Sequence, residues 1–207
     1  PDYPSESKYE PPDERRAHGK ALTEAVPREV HGHWKPIRDR RDIVNLLNES
    51  NEGRMAGLVP IRFGRMMASP FTFYRGSAVI MAADLASTPV SGIRVQACGD
   101  AHLSNFGGFA TPERRIIFDI NDLDETLPAP FEWDLKRLAA SVVIAARHLR
   151  LPESDAARAA TDLVREYRER MADYASMRAL DVWYDRIDMQ RFVDRAGDPD
   201  AVQTARR

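Results

Sequence analysis

Cysteine is almost missing from this chain. Cys98 is the single example in 207 residues, which excludes an intramolecular disulfide and a zinc site built from cysteines. An excess of charge of one sign is missing as well: 30 basic residues stand against 32 acidic ones, for a formal charge of -2. That balance leaves no electrostatic footprint for nucleic acid and no polybasic membrane anchor. No stretch reaches the roughly 18 consecutive apolar residues of a membrane span, and the charged N-terminus has no signal-peptide core. The expectation is a cytoplasmic protein in a reducing compartment, with neither nucleic acid nor membrane as partner. The chain does have 43% hydrophobic residues, enough for a sizeable core. Its length fits one large domain, or one domain with an extension. Beginning at Pro1 and stopping in the polar run DPDAVQTARR, it reads as a fragment of something longer.

PDYPSESKYEPPDERR, residues 1–16, is rich in proline and charge and reads as extended. Residues 1–25 are therefore expected to be an N-terminal arm or linker, and 26–207 the main region. The spacing predicts a helix over 39–50, with Ile43, Val44, Leu46 and Leu47 inward and Asp39 near its start. Another is predicted over 56–68, with Pro60 in its first turn. FTFYRGSAVIMAADLA, residues 71–86, reads as one buried helix that Gly76 weakens. IRVQAC, NFGGFA and RRIIFDI are strand candidates, the last two joined through TPERR as a hairpin. FEWDLKRLAASVVIAARHL then returns to helical spacing through Leu135, Leu138, Ala139, Val142, Val143 and Ala146. Pro152 is expected to end it, before a second long helix over 153–177. The fold class is α+β, predominantly helical, with a small β-hairpin between helices.

The polar residues gather at that hairpin. CGDAHLSNFGGF places Asp100, His102 and Asn105 before it, and DINDLD places Asp119, Asp122 and Asp124 after it. A hairpin brings its ends together, so the two clusters should meet. The product is two carboxylates and an amide oxygen around a common point. Hard oxygen ligands of this kind suit magnesium, which phosphates and water complete. A further carboxylate off the metal can orient a hydroxyl and accept its proton. Phosphoryl transfer needs that division of labour.

G-D-x-H-x-x-N, a hairpin and then I-x-F-D resemble the catalytic loop of aminoglycoside-phosphotransferase-like kinases, which are protein-kinase-like. The resemblance implies Asp100 as catalytic base, Asn105 and Asp119 as magnesium ligands, and Asp122 as a second acidic residue. It implies Asp134 as the brace of the catalytic loop, magnesium and ATP as cofactor and co-substrate, and a small-molecule substrate. VPIRFGRMMASPFTFYRGSA, CGDAHLSNFG, FDINDLDETLPAPFEWDLKRLAAS and MRALDVWY are similar to the uncharacterised domain-of-unknown-function family 2252. That similarity runs from about Val26 to about Tyr184. No G-x-G-x-x-G loop and no V-A-I-K strand precedes residue 98. The resemblance implies a permuted order in which those parts follow. Residues 26–207 would then be the C-lobe-like catalytic half, touching the rest of its own domain and binding ATP weakly alone.

Other readings compete at single positions. Asp100, His102 and Asn105 could simply cap a polar turn, and His102 is read as structural support. Asp124 stands where a calcium loop of EF-hand type needs glycine, which excludes that site. His31 and His33 read as packing and surface groups rather than as zinc ligands beside His102. Arg75 is either a substrate or phosphate contact or the salt-bridge partner of Asp119, Asp122 or Asp124. Lys136 and Arg137 are expected to face solvent or pair locally, and Cys98 to be a small core residue. Two rival functions remain beside the kinase: a metal-dependent phosphoester hydrolase, and a non-catalytic, pseudokinase-like binding module.

Overall fold

Helix and strand alternate little among the described residues: helices come first, four strands gather in the middle, and three helices follow before a last short strand. The computed structural model describes residues 10–189, a mixed α+β structure that is 57% helical. The first helix, α1 (Pro12–Ala25), lies where the sequence suggests an arm. Proline at its start gives up an N–H that no helix turn would use, and Asp13 and Glu14 face the positive end of the helix dipole. The same prolines and charges that argue for an extended segment thus make a good helix start. No side chain of α1 is buried.

α2 (Ile43–Glu49) is shorter than the predicted 39–50 because Asp42, not Asp39, caps it, accepting from the Asn45 N–H at 2.9 Å. Leu46 and Leu47 are buried with Ile43 beside them, whereas Val44 is exposed rather than inward. Positions 43, 46 and 47 share a helix face, and 44 lies a quarter turn away. A short 3-10 turn (Ala56–Leu58) leads into α3 (Val59–Met66), with Pro60 in its first turn. The single helix expected over 71–86 is two helices, α4 (Pro70–Arg75) and α5 (Ala78–Leu85). They break at Gly76, where a Cβ would come within 2.6 Å of the Met66 Cγ. Met66 is buried there and joins Leu46, Leu47 and Ile80 in the core, with Phe63, Val79 and Ala83 packed around them.

β1 (Arg94–Ala97) precedes the polar loop. β2 (Phe106–Ala110) and β3 (Ile116–Ile120) form the expected antiparallel hairpin, Phe106 opposite Ile120 and Ala110 opposite Ile116. Its turn closes through the Thr111 N–H to the Arg115 carbonyl at 2.8 Å, with Arg114 left-handed at φ 60°. β4 (Leu127–Pro130), which the proline-containing LPAP does not advertise, pairs antiparallel with β1 and runs directly into α6 (Phe131–His148). β5 (Ile187–Asp188) adds to β3. α6 packs along α7 (Glu153–Ser176), and α8 (Ala179–Tyr184) follows. Arg150, left-handed at φ 57°, already turns the chain after α6, so Pro152 caps α7 instead of ending α6. Among the described residues no helix is long and apolar enough to cross a membrane.

Candidate active site

One face of α6 holds the polar loop in place. Asp134 accepts the backbone N–H groups of Cys98 at 2.7 Å and Gly99 at 3.0 Å. One turn on, Arg137 donates to the Asp100 carboxylate, its Nε at 2.7 Å and its other guanidinium nitrogen on the same oxygen. One further turn on, the Ser141 hydroxyl accepts the Leu103 N–H at 2.9 Å. Positions 134, 137 and 141 lie at helical spacing, so a single polar stripe anchors residues 98–103. Gly99 makes the bend itself: its φ of 81° is left-handed, and a Cβ there would run into the Glu125 carbonyl.

Arg137 corrects the sequence reading. Far from facing solvent, it is 2% exposed. Its guanidinium also donates to the Tyr74 carbonyl at 2.9 Å and lies 4.5 Å from the Tyr74 ring centroid. The Tyr74 hydroxyl in turn donates to the Arg137 carbonyl at 2.8 Å, and burial pushes its pKa up to about 12. Lys136 is likewise drawn inward, its Nζ 3.2 Å from the Thr88 hydroxyl and its pKa lowered by burial. Both Arg137 bonds fall on one Asp100 oxygen, Oδ1. The other, Oδ2, faces the His102 Nε2 at 3.6 Å. Burial holds the His102 pKa below its ordinary value, opposed by Asp100 and reinforced by Arg137 and Arg75. His102 is buried and neutral near pH 7, with no hydrogen-bond partner for Nδ1.

Asn105 sits behind Asp100 and fastens the hairpin to the loop. Its amide nitrogen donates to the carbonyls of Asp122 at 2.9 Å and Asp100 at 3.1 Å, and its Oδ1 accepts the Asp122 N–H at 2.9 Å. Asp119 pairs with Gly107 in the hairpin register and is exposed, its Oδ1 accepting the Ile120 N–H at 2.8 Å. The Asp122 carboxylate accepts the Asp124 N–H at 3.1 Å. As donors to magnesium these groups fit in kind, because all are hard oxygens. Asp119 and Asp122 have carboxylate oxygens to spare. Asn105, 4% exposed, has only the second lone pair of an oxygen already engaged.

Asp100, His102, Asp122 and Arg75 line one cavity of about 650 Å³. Asn105 and Asp119 are not in its wall, the first behind it and the second out on the hairpin face. Arg75 forms no ion pair with Asp119, Asp122 or Asp124. Cys98 is a core residue, 4% exposed, with burial pushing its thiol pKa up. Among the described residues no three His, Cys, Asp or Glu side chains are grouped to hold a metal, so His31 and His33 do not join His102. Arg137 is the residue sequence reasoning missed. Its signal was present: D-x-x-R-x-x-x-S puts three polar side chains on one face of α6.

A family model, described as uncharacterized protein conserved in bacteria (DUF2252), matches residues 54–207. The chain belongs to this family. The DUF2252 match covers the whole polar loop, the hairpin and the α6 stripe, but it begins at Arg54 rather than near Val26. α1 and α2 therefore lie outside it. No curated protein and no solved structure matches the chain.

Proposed function

We propose that this DUF2252 chain carries the catalytic half of a protein-kinase-like phosphotransferase, which passes a phosphoryl group from ATP to a small molecule. The observation that carries the reading is the Asp100 carboxylate at the cavity wall. Arg137 takes one of its oxygens and leaves Oδ2 directed away from that bond. A carboxylate held in this way suits the general base of phosphoryl transfer, which positions a hydroxyl and collects its proton late. In the step itself, the acceptor O–H gives its proton to Asp100 Oδ2. The acceptor oxygen bonds to the γ-phosphorus, and the bond from that phosphorus to the bridging oxygen breaks, leaving ADP. Asp134 and Ser141 keep the loop rigid through this step, and neutral His102 packs beside the carboxylate without competing for Arg137.

Asp119, with the second lone pair of Asn105 Oδ1, would hold the magnesium that neutralises phosphate charge in such a reaction. The occupied Asn105 amide favours one other reading, a pseudokinase-like module that binds without turnover. Thermal denaturation of the full-length protein tests the magnesium-dependent nucleotide site that both readings share. ATP with magnesium should raise the melting temperature, ATP with EDTA should not, and Asp119→Asn should remove the rise. An equal response with and without magnesium would contradict the assignment of Asp119.

A further inference from the structure

The cavity that Asp100 and Asp122 line has a second, basic wall. Arg54, Arg62, Arg65 and Arg75 all border it. Arg62 and Arg65 come one helical turn apart from α3, Arg75 from the end of α4, and Arg54 from the turn before the 3-10 segment. Four guanidinium groups around one small cavity repel one another, and in most proteins carboxylates would neutralise them. Here they do so sparingly. Arg54 has a loose ion pair with Glu125 at 3.7 Å. Arg62 is fixed by neutral acceptors alone: the Asn51 side chain at 2.7 Å, the Gly76 carbonyl at 2.7 Å and the Ser50 hydroxyl at 3.3 Å. Burial and the charge of Arg54 lower its pKa, with the charge of Glu125 opposing them in smaller part. The guanidinium groups of Arg65 and Arg75 have no hydrogen-bond or ion-pair partner among the described residues. On the opposite wall Asp100 is already paired with buried Arg137, which leaves Asp122 as the one further carboxylate of the lining against four guanidinium groups.

From this wall we infer that the cavity takes a small molecule bearing a phosphate group, which the arginines hold while another part of the molecule faces Asp100. Guanidinium forks match phosphate oxygens in pairs and remain charged at every relevant pH. Arg62, held rigid by its three neutral partners, gives the site a preorganised donor, and Arg65 and Arg75 are free to close on the ligand. The cavity volume suits a compound of sugar-phosphate size. The placement of the substrate's hydroxyl rests on the phosphotransferase reading above; phosphate binding by the arginines does not.

Calorimetric titration of the full-length protein tests it, with inorganic pyrophosphate, ribose 5-phosphate and magnesium-free ATP as separate probes against sodium chloride of equal ionic strength. Pyrophosphate and ribose 5-phosphate should both bind, and the double variant Arg65→Gln/Arg75→Gln should weaken them about tenfold or more. Because neither side chain has a partner to lose, the ligand-free melting temperature of that variant should not fall. No binding above the chloride control, or equal binding by the variant, would overturn the inference. Binding of ATP alone, lost in the variant, would assign the arginines to the donor and overturn the assignment to the acceptor. Phosphate binding without turnover would refute the phosphotransferase reading and leave this one standing. Turnover of neutral acceptors without phosphate binding would do the reverse.

Discussion

At the scale of single residues the Asp100–Arg137 pair decides most. Arg137 is almost wholly buried and Asp100 is largely so, which means that removing one partner strands the other's charge. Arg137→Met should cost about 3–5 kcal/mol of stability in urea denaturation. Asp100→Asn keeps an acceptor for Arg137 but leaves the buried guanidinium without a counter-charge, so it should also destabilise the fold. His102 gives a pH dependence. Its folded pKa is depressed while the unfolded value stays near about 6.5, so the unfolded chain takes up the proton first as pH falls. Its contribution is complete above that value and is lost progressively below it. Urea midpoints measured from pH 7.5 down to about 5 should therefore decline, and His102→Gln should flatten the decline. Tyr74 acts at the other end. With its pKa raised to about 12, its contribution is complete below the ordinary tyrosine value of about 10 and is lost as pH climbs through the folded value.

At the scale of elements, two glycines should respond differently to the same change. Gly99→Ala meets both a left-handed φ and the backbone carbonyl of Glu125, which cannot retreat without moving the turn before β4. Gly76→Ala meets the Met66 side chain from Cγ outward, which can repack without moving backbone, and does so at an ordinary φ. Chemical denaturation should show Gly99→Ala to be the more damaging by about 1–3 kcal/mol. These positions also show why some elements were legible and others were not. The hairpin was readable because alternation, the turn sequence and the spacing from Asn105 to Asp119 all agree. α6 and α7 were readable from long, unbroken periodicity. The break at Gly76 was not, since it depends on Met66 arriving from another helix. β4 was hidden because LPAP has two prolines and pairs only along β1. Arg137 was misread because charge on a helix usually marks its solvated face, and only a partner distant in sequence reverses that.

At the scale of the molecule, the apolar core and the candidate site meet at Met66, which packs with Leu46, Leu47 and Ile80 and also lines the cavity. Leu46 belongs to the core alone and does not line the cavity. Leu46→Ala, at a position 2% exposed, should therefore cost about 2–5 kcal/mol globally without altering ligand affinity at temperatures where the protein stays folded. Equilibrium unfolding and calorimetric titration of the same variant would check both halves of that expectation. The central claim is that Asp100 serves as the base of phosphoryl transfer. Its most direct test is magnesium-dependent ADP formation by the full-length protein with a phosphorylated, hydroxyl-bearing acceptor, compared with Asp100→Asn at matched melting temperature. The expected result is a loss of about 10²–10⁴ in kcat with little change in KM. Undiminished ADP formation by Asp100→Asn, or none by the unaltered protein, would contradict it.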